Sequence, residues 1–429
     1  MIEKTKAVPG DYVEIHLTKL IYEGILLESP ETEKGIVLLK LDSGYNIGFN
    51  KKDISKIEVL KKAKEESKEN FELKKNPDKK NVALIITGGT IAARLNPKKG
   101  GVDWLTSPED LFKFYPELFE KVNILKVVVP FMKASEDMDY KDWQKIAKTA
   151  TELLNDSNIS GIIITHGTDF LHYTSAALSF FLRDLNKPVV LTYSQRSIDR
   201  ASSDANLNLQ CAALAAVSDI AEVMLVGHAS SNDDYCYAMP GAKVRKLHSS
   251  RRDAFKVVNS KPFAKLFPDK LERVSDYRLR NKNKTKVDSK FEEKVALVKL
   301  YPGQDADILD YYVKKKYKGI VLELSGLGHA PTKRARNAWT QKLKEVQQKG
   351  LVICAVSQCI FGRVDPLVYS NGREILSTGV IYLNDMLAET ALVKLGWVLG
   401  HEDWAKNKNI IKEKMLENFS HEINNRLEE

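Results

Sequence analysis

Two short stretches hold residue types that can do chemistry. Thr87-Gly-Gly-Thr90 follows the apolar run Asn81-Val-Ala-Leu-Ile-Ile, and His166-Gly-Thr-Asp169 follows Ser160-Gly-Ile-Ile-Ile-Thr. Glycine lets the backbone come close to a ligand and frees N–H groups to point at it. A hydroxyl beside such donors suits acyl transfer: the oxygen attacks a carbonyl carbon and the amides hold the oxyanion that forms. Taken singly, Gly-Gly-Thr is also a tight turn with Thr90 as a helix cap, and Thr168-Asp169 is equally a cap. The chain has no Gly-x-x-x-x-Gly-Lys-Ser/Thr loop, which argues against a nucleotide-phosphate cradle. It has no Cys-x-x-Cys or His-Glu-x-x-His spacing, which argues against zinc.

The runs before both motifs are continuously apolar, as in strands covered on both faces. Segments of helical spacing follow, Phe170 to Leu185 and Asp204 to Val217, with further strands at Pro188 to Thr192 and Glu222 to Val226. Strand alternating with helix predicts an α/β fold with parallel or mixed sheets. Ligands of such sheets bind beyond the carboxyl ends of the strands, where both motifs lie. A second α/β unit is expected from strands at 295–300, 319–324 and 351–356, with helices at 305–313 and 388–399. Gly10 to Leu60 differs: about five short alternating runs with tight turns predict a small all-β barrel. The expected division is therefore a barrel with its linker over 1–75, a large α/β domain over 76–290 and a smaller α/β domain over 291–429. Lys61–Lys80 and the stretch around Asn281-Lys-Asn-Lys-Thr-Lys are charged and read as linkers, and the segment from His401 onward reads as surface helix.

The chain has 429 residues, 43% hydrophobic and 29% charged, an ordinary globular balance. Its net charge of +9 fits an acidic partner such as RNA without requiring one. The basic cluster Lys243, Arg245, Arg251, Arg252 and Lys256 could meet RNA or form a solvated face. No apolar run approaches a membrane span and no secretory signal is visible, so a cytoplasmic location with no membrane contact is expected. Four cysteines are too few for a disulfide scaffold, and Cys354 and Cys359 suit buried thiols.

Thr87-Gly-Gly-Thr-Ile-Ala92, Thr165-His-Gly-Thr-Asp169 and Gly241-Ala-Lys-Val-Arg-Lys-Leu-His-Ser-Ser-Arg-Arg-Asp-Ala-Phe255 together resemble the bacterial-type asparaginase/glutaminase family, from about Asn81 onward. The preceding barrel, with Gly44-Tyr-Asn-Ile-Gly48, narrows the likeness to the glutaminase subunits of archaeal tRNA-dependent amidotransferases. The resemblance implies a two-domain asparaginase-like fold and glutamine hydrolysis through a threonyl acyl-enzyme. Thr90 corresponds to the usual nucleophile. Thr168 and Asp169 match the family's Thr-Asp pair, and Lys246 its lysine. Such a lysine can serve Thr168 as a base or activate the deacylating water, and Asp169 can hold that lysine or the substrate α-ammonium. Ser135-Glu-Asp-Met138 matches a substrate-holding Ser-Gln-Asp-Met segment: Ser135 would bind the substrate carboxylate, and Glu136, in place of glutamine, its α-ammonium. Pro97 stands where the family's mobile loop carries a tyrosine. No metal or cofactor is implied in this chain; ATP and magnesium are expected on a partner kinase-transamidase subunit, which would also carry most of the contact with Glu-tRNA(Gln). The assembly implied is a homodimeric core within a heterotetramer of two copies of each subunit. A free-standing asparaginase with an added domain, or a tRNA- or protein-binding scaffold without activity, are the competing readings.

Overall fold

The computed structural model describes residues 7–27, 35–42, 46–62, 76–95, 102–104, 116–197 and 203–426. Strands β1 (Tyr12–Leu17), β2 (Ile21–Leu27), β3 (Ile36–Lys40), β4 (Asn46–Asn50) and β5 (Ile54–Lys61) form an antiparallel sheet in the order β4-β3-β2-β1-β5. Alternation places Val13 and Ile15 on the face they share with Leu26, Leu39 and Phe49, a core of its own. Among the described residues no ladder joins β4 to β5, so the unit curls around its core without closing by hydrogen bonds.

The large domain starts with β6 (Asn81–Ile86), a short ribbon of β7 (Ala93–Leu95) and β8 (Val102–Trp104), and then β9 (Asn123–Val128) and β10 (Ile162–Thr165). After β11 (Leu182–Arg183) come β12 (Val189–Thr192), β13 (Val223–His228) and β14 (Cys236–Pro240). A second ribbon, β15 (Val244–Lys246) with β16 (Phe255–Val257), precedes β17 (Ala264–Leu266), β18 (Leu271–Arg273) and β19 (Lys286–Val287). Eight of these make one mixed sheet, ordered β18-β17-β14-β13-β12-β10-β6-β9. The ladders from β13 to β9 are parallel and the remainder antiparallel. Period-2 alternation explains the unbroken apolar runs. Ala83, Ile85, Ile162 and Ile164 face the helices Tyr140–Leu154 and Leu171–Phe181, whereas Val82, Leu84 and Ile163 face Ala205–Val217.

The small domain is a parallel sheet of β20 (Val295–Lys299), β21 (Gly319–Leu324), β22 (Val352–Ser357) and β23 (Ile381–Tyr382), in that order. Helix Ala388–Leu399 is buried at every position except Leu392. It sits between the two domains: Trp397 stacks on Phe180 with centroids 5.6 Å apart, and Val321 and Val356 join the same core. Full burial of such side chains contributes about 1.5–3 kcal/mol each before entropy is counted. One core therefore runs through both domains, and each keeps a second core of its own on the far face of its sheet.

Three expectations need correction. The charged stretch after Lys270 is no free linker: β18 extends the large sheet, Arg278 grips the buried Glu222, and Arg280 donates to the carbonyls of Ser160, Ala216 and Ser218. The segment beyond His401 does form helices Glu402–Ala405 and Lys408–Leu416, but Glu422 then returns to the interior. Its carboxylate pairs with Lys394 at 2.6 Å, both side chains fully buried, while Ser420 Oγ donates to the Ser179 carbonyl. Cys211, Cys236 and Cys354 are buried thiols, whereas Cys359 is exposed. Most of the stretch 61–80 lies outside the described residues. Among those described, no helix is long and apolar enough to cross a membrane.

Candidate active site

β6 and β10 are parallel neighbours with Ile86 opposite Thr165, so both motifs leave the same edge of the sheet. Thr87 fixes the departure: its N–H and its hydroxyl both donate to the Thr165 carbonyl, at 3.2 and 2.8 Å. Gly88 and Gly89 follow with φ of 126° and 87°. A Cβ on Gly88 would lie 2.2 Å from the Lys133 oxygen, and one on Gly89 would lie 2.4 Å from the Gly167 nitrogen. Only glycine can bring the first strand end against the second. Thr90, half-buried, comes next and opens a single 3₁₀ turn whose Ile91 and Ala92 are buried beneath it. The loop tip with Pro97 lies outside the described residues.

A third segment arrives after β9. The Lys133 N–H donates to the Thr87 carbonyl, and Lys133 Nζ binds both oxygens of Asp142, at 2.8 and 2.9 Å. Asp139 and Asp142 form a capping box that begins helix Tyr140–Leu154. Thus anchored, the loop presents buried Ser135, whose Oγ accepts the N–H groups of Asp169 (3.1 Å) and Phe170 (3.3 Å) and donates to Glu136 Oε2 (3.3 Å). Ser135 therefore holds the Thr168-Asp169 turn from below, and Glu136 lies exposed beside it.

His166 Nδ1 lies 2.7 Å from the Gly167 oxygen, and Nε2 lies 2.9 Å from Thr174 Oγ1. A carbonyl can only accept, so Nδ1 carries the proton and Nε2 receives the threonine hydroxyl. Burial pushes this imidazole down to about 4, so it is neutral at pH 7 and orients the turn. His172 is a second buried imidazole, pushed to about 3 by burial and then by the charges of Arg245 and Lys246.

Lys246 reaches this edge from β15. Its Nζ donates to Thr168 Oγ1 at 2.9 Å and to Asp169 Oδ1 at 2.7 Å, joining residues 77 and 78 positions away. The lysine side chain is 10% exposed and the Asp169 side chain 61%, so the pair stands at the mouth of the site with the ammonium on the inner side. The structure thus joins Thr168, Asp169 and Lys246 directly, with Ser135 and Glu136 in the adjoining layer. Thr90 follows the glycine that touches Gly167.

The rest of the basic cluster is paired with acids, Lys243 and Arg245 in the interior and Arg251 at the surface. Lys243 pairs with Asp385, Arg245 with Glu389, Arg252 with Asp233, and Arg251 and Lys256 share Asp253. Lys243 and Arg245 are thus engaged inside the protein, whereas Arg251 keeps half of its side chain exposed. The acids for Lys243 and Arg245 lie 142 and 144 residues away, and no local sequence signal could have found them. Among the described residues, one group of His and carboxylates has metal-ligand spacing: Glu14, His16 and Glu58 on the N-terminal sheet. Lys56 already pairs with Glu58 there.

Threonines presented just beyond the ends of adjacent parallel strands, with a second domain packed on a common core, define an asparaginase-type amidohydrolase fold. Comparison bears this out. Residues 81–277 match the model "Asparaginase, N-terminal", residues 294–412 the "Glutaminase/Asparaginase C-terminal domain", and residues 7–60 the "GatD N-terminal domain". The thermostable L-asparaginase from Thermococcus kodakarensis superposes with a TM-score of 0.71 at 29% identity, covering 81% of this chain and 100% of that one. L-asparaginase I from Vibrio cholerae gives 0.68 at 26%, covering 81% and 99%. The D subunit of the glutamyl-tRNA(Gln) amidotransferase of T. kodakarensis is 47% identical over 94% of this chain and 91% of its own length. Its counterpart from Methanobrevibacter smithii is 42% identical over 96% and 95%. The chain belongs to the family of glutamyl-tRNA(Gln) amidotransferase D subunits.

Proposed function

We propose that this chain hydrolyses glutamine and supplies the ammonia that turns Glu-tRNA(Gln) into Gln-tRNA(Gln). The observation that carries the reading is the contact of Lys246 Nζ with both Thr168 and Asp169 at the strand edge where Thr90 is presented. In the first half-reaction Thr90 Oγ adds to the glutamine amide carbon, its proton passes to the leaving nitrogen, and ammonia departs from a γ-glutamyl ester. Backbone N–H groups of the Gly88–Thr90 turn hold the oxyanion. In the second half-reaction water attacks the ester and releases glutamate. Lys246 and Thr168 carry the proton in this relay, oriented by Asp169, whose carboxylate fixes one lysine N–H. Glu136 meets the substrate α-ammonium, and Ser135 shapes the pocket for its carboxylate.

Activation of the glutamyl carboxylate needs phosphoryl transfer from a metal-bound nucleotide. With no phosphate loop in this sequence, we assign ATP, magnesium and most of the tRNA contact to a partner, the E subunit, in a heterotetramer of two copies each around a homodimer. Ammonia freed into water is protonated and diluted, so coupling requires a protected route between the two proteins.

Trapping with a reactive glutamine analogue and mapping the adduct by mass spectrometry tests the chemistry. A label on Thr90 is expected. A label on Thr168 would reverse the two threonines, and glutamine binding with neither label nor hydrolysis would favour a scaffold. Purified chain with glutamine, ATP, magnesium and Glu-tRNA(Gln) should form Gln-tRNA only when the partner is added. Glutaminase activity indifferent to partner and charged tRNA would favour a free-standing enzyme.

A further inference from the structure

Lys246 is not held by either main sheet. It ends β15, a three-residue strand whose only ladder among the described residues is to β16: Val244 opposite Val257, Arg245 opposite Lys256 and Lys246 opposite Phe255. Val244 and Phe255 root this ribbon in the large core. From the large domain, Lys256 Nζ on β16 also donates to the Ala229 carbonyl at 2.8 Å, and further anchors come from the small domain, at the entry to helix Ala388–Leu399. Lys243 Nζ donates to the carboxylate of Asp385 at 2.6 Å and to its carbonyl at 2.9 Å, with both side chains fully buried. Arg245 Nη2 lies 2.8 Å from Glu389 Oε1, where the glutamate side chain is 8% exposed. Thr390 Oγ1 donates to the Ala242 carbonyl at 2.9 Å. Successive side chains of a strand leave opposite faces, so Lys243 and Arg245 are gripped from one side while Lys246 points from the other to Thr168 and Asp169.

We propose that Glu389, acting through Arg245, is a positioning residue for Lys246, so that the small domain sets the geometry of a site built on the large one. The inference rests on the reading of Lys246 as catalytic. Among the described residues no hydrogen bond or ion pair joins the Glu389 carboxylate to Lys246, Thr90 or Thr168; its ion pair is with Arg245. Its second oxygen, Oε2, is buried without a partner among the described residues, so Arg245 is the one side chain that the carboxylate holds there. Displacing an ammonium by about 1 Å from a reacting group costs on the order of 100-fold in rate. Of the anchors from the small domain, the Arg245–Glu389 pair lies nearest to Lys246 along the strand.

The test is a double-mutant cycle on kcat for glutamine hydrolysis, with thermal melting as the check on folding. Glu389→Gln should lower kcat on the order of 10- to 100-fold with KM changed less than about threefold. In a Lys246→Met background the same substitution should change kcat by less than about twofold, because it acts through the missing amine. Independent multiplication of the two losses would overturn the inference while leaving Lys246 catalytic. Undiminished kcat in Lys246→Met alone would remove the catalytic reading and the inference together. Arg245→Leu with Glu389→Leu leaves no buried charge unpaired and covers the case in which Glu389→Gln fails to fold. That double variant should melt near the parent and stay slow, and parental kcat in it would refute positioning.

Discussion

Replacing Gly89 by alanine probes the contact that joins the two halves of the site. The added Cβ would sit 2.4 Å from the Gly167 nitrogen and 2.5 Å from the His166 carbonyl carbon, both backbone atoms that no side-chain rotation can clear. Ordinary contact begins at 3.4 Å, so the turn after β6 and the turn after β10 must separate by about 1 Å. The φ of 87° adds strain of roughly 1–2 kcal/mol for alanine, and overpacking adds about 1–3 kcal/mol. A separation of that size between Thr90 and the Thr168–Lys246 pair should lower kcat on the order of 100-fold. Gly350→Ala supplies the control: its φ is 93°, yet nothing lies within 4 Å of the built Cβ. It should lose about 1–2 kcal/mol in urea unfolding and leave glutamine hydrolysis unchanged. Steady-state glutaminase rates with urea melts on both variants decide the matter. If Gly89→Ala retained parental kcat and lost no more stability than Gly350→Ala, the packed contact between the strand ends would play no part in catalysis.

Thr90→Ala should abolish adduct formation with the trapping analogue, whereas Thr168→Ala should slow hydrolysis and combine non-additively with Lys246→Met, as checked by single-turnover rates. Glu222 gives an acid-sensitive contribution: burial pushes its carboxyl up, but hydrogen bonds and charge from His421 and Arg278 outweigh that and hold it at about 2. Held low in the folded state, the group adds about 3 kcal/mol above pH 4.5, lost as the pH falls through about 2. Urea midpoints across that range should flatten in Glu222→Gln. Lys394→Met alone leaves Glu422 buried and unpaired and should cost about 3–5 kcal/mol in the same melts, with much of it recovered when Glu422→Leu is added.

The sequence made legible whatever depends on local pattern. Continuous apolar runs located β6, β10, β12 and β21, and the helix expected at 388–399 is found as Ala388–Leu399. The helix expected over 170–185 stops at Phe181, because Leu182 and Arg183 leave it to pair with β19. Charge was the poorer guide. A lysine or arginine looks the same in sequence whether it faces water or a buried acid, and the acid for Lys243 lies 142 residues downstream. The same blindness hid the grip of Arg278 and Arg280 and the return of Glu422 to the core. The Thr168–Asp169–Lys246 contact was approachable through motif resemblance, since no periodicity joins residues 77 apart. Ser135 was expected to face substrate, and its Oγ accepts backbone N–H groups of the neighbouring turn.

The lacing by residues 420–424 has a consequence for the order in which the chain can mature. Ser420 reaches back 241 residues to Ser179, His421 reaches Glu222, Glu422 neutralises Lys394, and the Asn424 N–H binds Asp385, the acid that also holds Lys243. All of these leave the ribosome after every strand of both sheets. Domains ordinarily fold as they emerge, and the large sheet can form early. Lys394, however, has no buried counter-charge until Glu422 arrives, and Asp385 lacks one of its donors until Asn424 does. The ribbon bearing Lys246 therefore acquires its final bracing after both sheets have been synthesised. Glutamine hydrolysis should therefore appear late in translation, once residues 420–424 have been made.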